Sequence, residues 1–310
     1  MGTVLSVSEL RKIYEVRKSP FSVRKELVRA VDGVSFEVAQ GETLGLVGES
    51  GCGKSTVARC VTLLEKPEGG SILFLGHDWV GMPEEKRKAL RKEMQIIFQD
   101  PYSSLNPRKR IMDTVAEPLI THHMVEKKAV AEKVLEVLKS VGLDEDFLKK
   151  YPHEMSGGQR QRVAVGRALA TSPAFIIADE PVSSLDVSVQ AQIINLFLDI
   201  KERFTLSMLF ISHDLNIVRF VSDHIMVMYR GRVVEAAEKE ELFLRPMHPY
   251  TKILIEASPG APGDKSEQPA SEVSCVFLDR CPQKVAVCGK SVPELQGTHE
   301  HRVACFRADN

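Results

Sequence analysis

Apolar positions along this chain repeat with two rhythms, every second residue or every three to four, and the order of the two rhythms predicts its architecture. Val4-Leu5-Ser6-Val7 and Gly33-Val34-Ser35-Phe36-Glu37-Val38 alternate as half-buried strands do, and Gln40-Gly41 marks a turn. Residues 3–47 are therefore expected to form a mostly antiparallel β region, with the basic, polar stretch from Arg17 to Arg29 as a surface excursion. Thr43-Leu44-Gly45-Leu46-Val47 is a short apolar run suited to a buried strand, and Val57 to Leu64 continues without Gly or Pro, as a helix should. A turn at Pro67-Glu68-Gly69-Gly70 leads into a strand at Ser71–Leu75, followed by a charged helix from Pro83 to Lys92 and a short buried strand at Gln95–Phe98. From about 102 to 155 the pattern turns helical. Val130, Val134, Val137, Leu138 and Val141 fall on one face there. A helix from Gln159 to Ala170, a strand at Phe175–Ala178 and an amphipathic helix through Ile193, Ile194, Phe197 and Ile200 come next. The strand Met208–Ile211 and a hairpin, Ile225–Tyr229 and Arg232–Glu235 around Arg230-Gly231, complete the regular pattern. Strands alternating with helices predict an α/β core on a parallel sheet. Residues 257–272 have the Pro, Gly and Ser content of a linker.

Bulk composition narrows the classes. The 310 residues suggest roughly two domains, and 43% hydrophobic content is enough for a sizeable core. Lys+Arg 41 against Asp+Glu 42 leaves a formal charge of −1, without the basic excess usual in nucleic-acid binders. No apolar run approaches the roughly 18 residues of a membrane span. The N-terminal MGTVLSVSEL lacks a cationic segment leading into a long apolar one, so a secretory signal is not expected. Ser6 alone is weak support for acylation at Gly2. A cytoplasmic location follows as the expectation, and with it six cysteines that serve as metal ligands or ordinary thiols rather than disulfides.

The candidate chemistry centres on Gly48-Glu49-Ser50-Gly51-Cys52-Gly53-Lys54-Ser55-Thr56, a full match to G-x-x-x-x-G-K-[ST] between a predicted strand and a predicted helix. Glycines let successive backbone N–H groups turn onto an anion, and the helix N-terminus adds partial positive charge. Lys54 is placed to reach the β- and γ-phosphates and Ser55 to hold Mg²⁺. Cys52 and Cys60 are packing residues on this reading. Asp179 and Glu180 follow an apolar strand, the end of a parallel strand where ligands bind. Asp179 is expected to act on Mg²⁺ and Glu180 to polarise the attacking water, which is most of what phosphoryl transfer needs. An acidic pair that only caps the turn is the alternative. Ser156-Gly157-Gly158-Gln159 is, taken alone, a helix start with an N-cap serine. As a second anion site it makes sense only if it faces a nucleotide on another subunit. Gln99 and His213 each stand at a predicted strand end, where Gln99 could sense Mg²⁺ and water and His213 could reach the γ-phosphate; a purely structural role is the alternative for each.

GESGCGKST, Gln99, SGGQ, FIIADE, SSLD at 183–186 and His213 occur in the order found in ABC transporter ATPases. The resemblance covers roughly residues 4–240. It implies an α/β P-loop NTPase (RecA-like) core with an antiparallel β subdomain and an α-helical signature subdomain at about 100–160, joined to the core by a hinge loop opening at Gln99. Ser50, Gly51, Cys52, Gly53, Lys54, Ser55 and Thr56 would bind ATP, with Tyr14 resembling the aromatic that stacks on adenine. A plain strand aromatic is the other reading of Tyr14. Ser55, Gln99 and Asp179 would serve Mg²⁺. Glu180 matches the general base and His213 the γ-phosphate switch, with Lys54 and Gln99 completing the catalytic set. Ser156, Gly157, Gly158 and Gln159 would contact ATP on the opposing subunit, and Asp186 would communicate across the dimer. Met155 stands where Leu is usual.

Phe98-Gln99-Asp100-Pro101-Tyr102-Ser103-Ser104-Leu105-Asn106-Pro107-Arg108, His248-Pro249-Tyr250-Thr251 and a cysteine-bearing tail are similar to the oligopeptide/dipeptide importer ATPases. That likeness implies an ATPase domain at 1–256, a linker and tail at 257–310, and ATP hydrolysis coupled to peptide uptake. It also implies a second ATPase subunit (a heterodimer, with a homodimer as the alternative), two membrane permeases, an external solute-binding protein and a peripheral position on the cytoplasmic face of the membrane. Nickel or another small solute is the alternative cargo. ATPases acting on DNA or ribosomes are a more distant alternative, since the chain lacks a long heptad segment and carries a single cassette, and no nucleic-acid partner is expected. The tail cysteines Cys275, Cys281, Cys288 and Cys305 are spaced C-x₅-C-x₆-C-x₁₆-C, without the paired C-x₂-C of a zinc ribbon. Four thiolates can hold a [4Fe–4S] cluster, and some relatives in the group are thought to carry one. Zn²⁺ and unligated or disulfide-forming thiols are the other readings. A segment this poor in apolar residues is expected to need some cross-link.

Overall fold

A computed structural model describes residues 2–17, 25–256, 273–298 and 300–307. Most of the expected surface excursion (18–24) and the whole of the expected linker (257–272) lie outside the described residues. In chain order the elements are β1 (Thr3–Arg17), β2 (Lys25–Ala39), β3 (Thr43–Val47), α1 (Lys54–Val61), β4 (Gly69–Phe74), β5 (His77–Asp78), α2 (Glu84–Leu90), β6 (Met94–Ile97), α3 (Pro101–Ser104), α4 (Ile111–Thr121) and α5 (Val130–Ser140). They continue with α6 (Gly157–Leu169), β7 (Phe175–Asp179), α7 (Val187–Phe204), β8 (Ser207–Ser212), α8 (Leu215–Val221), β9 (His224–Tyr229), β10 (Arg232–Glu238), α9 (Lys239–Leu244), α10 (Pro249–Glu256), β11 (Gln296–Gly297) and β12 (His301–Val303). Two compact units result.

The first unit comprises Met1–Val4, Ala39–Glu42 and Gly81–Phe210. In it β6 and β7 pair in parallel, from Met94 opposite Phe175 to Ile97 opposite Ala178. Every residue of β7 is buried, as a strand covered on both faces requires. The predicted helical lobe contains α3, α4 and α5, and α6 packs against all three. Val130, Val134, Val137, Leu138 and Val141 are buried together, the face their spacing predicts. Three arginines of α6 fasten the lobe to the helix. Arg160 Nε donates to the Pro152 carbonyl at 2.6 Å, Arg162 Nη1 to that of Val141 at 2.8 Å and Arg167 Nη1 to that of Ser104 at 2.7 Å. These are charge-assisted bonds, stronger than neutral ones, so α6 is held at both ends and its middle.

The second unit comprises Leu5–Val38, Thr43–Val80 and Ile211–Asn310. One sheet runs β2-β1-β4-β5. In it β1 is antiparallel to β4 and breaks register between Ser8 and Arg11, where Glu9 takes a left-handed φ of 50°. Trp79 closes this sheet against the phosphate-loop helix, donating Nε1–H to the Val61 carbonyl at 3.0 Å and standing edge-on to Phe74. The second set of strands runs β11-β12-β10-β9-β3. β3 is wholly buried and parallel to β9. The hairpin β9–β10 turns through Arg230 and Gly231, both at positive φ, as a two-residue hairpin of this twist demands. A bulge at Val234 follows, since Val233 faces Met228 and Glu235 faces Val227. It sends Glu235 fully inside, where its carboxylate accepts Met247 N–H at 2.7 Å and His248 N–H at 2.9 Å and meets His301 Nε2 at 2.7 Å. Residues of the tail therefore add β12 to the edge of β10, antiparallel, with Val303 opposite Glu235.

His248 carries a consequence for pH. It is 2% exposed and its Nδ1 accepts the Tyr250 N–H at 3.1 Å. Burial lowers its pKa from 6.5 to about 4, so the folded chain keeps it neutral. Unfolding lets it protonate at its ordinary value. The linked stability is intact above about pH 6.5 and is lost as pH falls toward 4, up to about 3 kcal/mol. The free energy of urea unfolding is expected to fall over that window, and His248→Asn to flatten the fall. Equal pH slopes in the two proteins would remove His248 from the account.

Candidate functional site

The phosphate loop belongs to the second unit, between β3 and α1. Two of its glycines are required by crowding. A Cβ on Gly48 would lie 2.2 Å from the Met228 carbonyl oxygen, and one on Gly53, whose φ is +108°, 2.0 Å from that of Ala30. The chain can pass between those backbones only without side chains. Gly53 is also the N-cap of α1, and no side chain caps that helix end, the arrangement that leaves a helix N-terminus to an anion. Lys54 is 4% exposed, and its ammonium donates to the Gly48 carbonyl at 2.7 Å and the Glu49 carbonyl at 3.0 Å. The hairpin turn braces the loop, Gly231 N–H donating to the Cys52 carbonyl at 2.9 Å. Burial raises the thiol pKa of Cys52, and that of Cys60 to about 11, in keeping with packing residues.

Tyr14, half-buried on β1, is bonded through its hydroxyl to Glu65 and lies within hydrogen-bonding reach of Thr56, the last residue of the loop motif. Lys12 sits over its ring at 5.4 Å from the centroid. Burial, then the Glu65 carboxylate, raises its pKa. His213, exposed, follows β8 in this unit.

In the first unit the structure brings Gln99 and Glu180 together from 81 positions apart, Gln99 Nε2 donating to Glu180 Oε2 at 3.2 Å. Asp179, 6% exposed, ends β7. Glu180 has φ 46°, a left-handed backbone uncommon outside glycine. Its carbonyl accepts the Ser183 hydroxyl at 3.1 Å, which closes the following turn.

Ser156 to Gln159 begin a helix, two residues earlier than the sequence reading placed it. Ser156 Oγ accepts the Gln159 N–H at 3.3 Å while Gln159 Oε1 accepts the Ser156 N–H at 3.0 Å. This is a capping box, legible as S-x-x-Q and missed. It draws Gly157 and Gly158 into the first turn. A Cβ on Gly158 would lie 2.5 Å from Val189 Cγ1, and one on Gly157 3.2 Å from Leu185 Cδ2. The start of α6 is thereby seated on the start of α7. There Asp186 is the N-cap, accepting Val189 N–H at 3.0 Å and the Ser188 hydroxyl at 2.7 Å. Those bonds, the Ser188 hydroxyl first, lower its pKa.

The oxygen donors expected for Mg²⁺ suit a hard cation. They are the Ser55 hydroxyl at the start of α1, and in the other unit the nearly buried Asp179 carboxylate and the Gln99 amide.

The tail cysteines correct the expectation of a [4Fe–4S] cluster or zinc. Among the described residues no group of three or more His, Cys, Asp or Glu is placed to hold a metal ion, and the six cysteines are free. Burial, and behind it the neighbouring tail cysteines, raises the pKa of Cys275 and Cys305. The cross-link inferred from a core-poor tail is unnecessary because the tail borrows a surface. Phe277, 1% exposed, packs edge-on to Tyr229 at 5.2 Å and against Tyr250 at 5.5 Å. Arg280 Nη1 donates to both carboxylate oxygens of Glu49, at 3.0 and 2.9 Å.

A sequence model of the ABC transporter family matches residues 31–183, and one of the oligopeptide/dipeptide transporter C-terminal region matches residues 234–288. The chain is 46% identical to the oligopeptide transport ATP-binding protein AppF of Bacillus subtilis (98% of this chain, 97% of that one). It is 43% identical to the dipeptide transport ATP-binding protein DppF of Escherichia coli (99% and 95%). Among solved structures it resembles the ATP-binding cassette MJ0796, dimeric in a post-hydrolysis state with ADP and phosphate, at TM-score 0.66 and 27% identity over 76% of this chain and 98% of that one. It likewise resembles cbiO1 from Clostridium perfringens, at TM-score 0.67 and 26% identity over 83% and 96%. The phosphate loop, the Gln99–Glu180 pair and the capped SGGQ helix thus occur in a chain that belongs to the oligopeptide/dipeptide-transporter family of ABC ATPases.

Proposed function

We propose that this chain is the ATP-hydrolysing subunit of a peptide importer, working at the cytoplasmic face of a membrane with permeases and an external solute-binding protein. Full-length likeness to AppF and DppF, whose names give oligopeptide and dipeptide transport, carries the reading. In it residues 1–256 form the ATPase and 257–310 the linker and tail, although the tail residues 273–307 share a compact unit with the phosphate loop. No helix among the described residues is long and apolar enough to cross a membrane, so a membrane position would rest on partners.

The loop backbone and Lys54 bind the phosphates, and Tyr14 stacks on the base. Glu180 takes a proton from the attacking water, and the Gln99 bond orients its carboxylate. His213 contacts the γ-phosphate. Bound at Ser55, Asp179 and Gln99, Mg²⁺ would supply charge neutralisation on the phosphate oxygens. Two cassettes pair head to tail, each offering Ser156–Gln159 and Asp186 to nucleotide on the other, the partner being a different ATPase subunit or a second copy. Closure on ATP and release after hydrolysis is then a rigid-body switch of the kind two-state interfaces support.

The test is uptake. Vesicles carrying the chain with its permeases and binding protein are expected to accumulate labelled di- or oligopeptides only with ATP. Accumulation of nickel without peptide, or binding to DNA or ribosomes in place of permeases, would replace the reading.

A further inference from the structure

We propose that Arg280 is a positioning residue for nucleotide binding. It neutralises and holds Glu49, so that the tail sets how well the phosphate loop accepts a triphosphate. The inference rests on the loop binding ATP.

Glu49 is the second residue of the loop motif, an unwelcome charge beside a site for a polyanion. Three of its groups are committed elsewhere. Its carboxylate takes the two bonds from Arg280, its N–H donates to the Tyr250 hydroxyl at 2.9 Å, and its carbonyl accepts Lys54 Nζ at 3.0 Å. Glu49 and Arg280 side chains are 16% and 26% exposed, so the pair is screened less than a surface pair would be. Each anchor stands on something rigid. Tyr250 is fully buried, with its ring 4.6 Å from that of Tyr229, and Phe277 lies against both. Arg280 itself lies over Tyr229 and Phe277, at 5.8 and 5.7 Å from their centroids. A second link ties the same part of the tail to the hairpin turn that braces Cys52, with Arg230 Nη1 at 3.7 Å from Asp279 Oδ2. Loss of Arg280 leaves a carboxylate at the loop that repels phosphate and a loop less firmly placed.

The experiment measures MgATP in the full chain, in its complex if turnover needs the partners, by binding of a fluorescent ATP analogue and by steady-state hydrolysis. Arg280→Ala is expected to raise Kd and KM about tenfold, with kcat within about twofold. Arg280→Lys, which keeps a charge able to bridge both oxygens, should recover most of that loss. In a Glu49→Gln background the alanine substitution is expected to change KM by less than about twofold. An unchanged Kd in Arg280→Ala, or the same loss with and without the Glu49 carboxylate, would overturn the inference and reduce the contact to tail packing. A wild-type chain that fails to bind the analogue would instead overturn the ATP reading, and this inference with it.

Discussion

Glu180→Gln is expected to bind MgATP as the wild-type chain does and to hydrolyse it roughly 10²–10⁴-fold more slowly, the usual contribution of a positioned general base. On the proposed assignment Glu180 receives a proton from water, which a carboxylate can do and an amide cannot. The substitution is close to isosteric. The Gln99 bond at 3.2 Å can be kept by turning the new amide oxygen toward it, and the turn closed by the Glu180 carbonyl and Ser183 does not involve the side chain. The left-handed φ of 46° is a property of the backbone that glutamine inherits. Such a conformation costs about 1–3 kcal/mol and persists at sites whose surroundings fix it, consistent with a residue held for its direction. The loss should therefore fall on kcat, with nucleotide binding and melting temperature unchanged, and the variant should accumulate as an ATP-bound pair of cassettes in size-exclusion chromatography. Brisk hydrolysis by Glu180→Gln would remove it from the role of base.

Where neighbours in sequence are also neighbours in space, the fold could be read in advance. β7 follows from an unbroken apolar run, and the hairpin β9–β10 from two apolar strands around Arg230-Gly231. The helical lobe's core follows from valines at helical spacing. The sequence names Ser156 as an N-cap but starts the helical run only at Gln159; Gly157 and Gly158 join the first turn because the reciprocal Ser156–Gln159 bonds outweigh their poor helix propensity. The tail defeated sequence reasoning for a different reason. Its stabilising contacts are distant: Arg280 meets Glu49 across 231 positions, and β12 has three residues, too few for a pattern. Without those partners in view, four cysteines in a core-poor segment pointed to a metal. In the folded chain an aromatic cluster and an ion pair do that work, and the thiols are free. Of the site, the loop motif was legible because its residues are contiguous in sequence, although the backbones that crowd its glycines, at Met228 and Ala30, are distant, while the Gln99–Glu180 bond depends on two strand ends that only the sheet brings together.

Lys54→Ala is expected to weaken MgATP binding by about 10²-fold or more and to abolish measurable turnover. The Lys54 ammonium, 4% exposed, now serves the carbonyls of Gly48 and Glu49 at 2.7 and 3.0 Å. A phosphate oxygen is a stronger acceptor for that charge than a carbonyl dipole, so arriving nucleotide competes well for it. Alanine removes the cation and also leaves two loop carbonyls without this donor, at a cost of about 1–3 kcal/mol for each that stays buried and unsatisfied. Some loss of stability is therefore expected even without ligand, and binding must be read apart from it. The separating measurement is the stabilisation that MgATP confers. At 100 times Kd a ligand adds about 2.7 kcal/mol, which the wild-type chain should show as a raised melting temperature and Lys54→Ala should not. Lys54→Arg should fail as well, because a planar guanidinium does not fit a slot shaped around a compact ammonium. If either variant were stabilised by MgATP as fully as the wild type, the loop's backbone N–H groups would suffice to hold the triphosphate, and Lys54 would be a brace for its own loop.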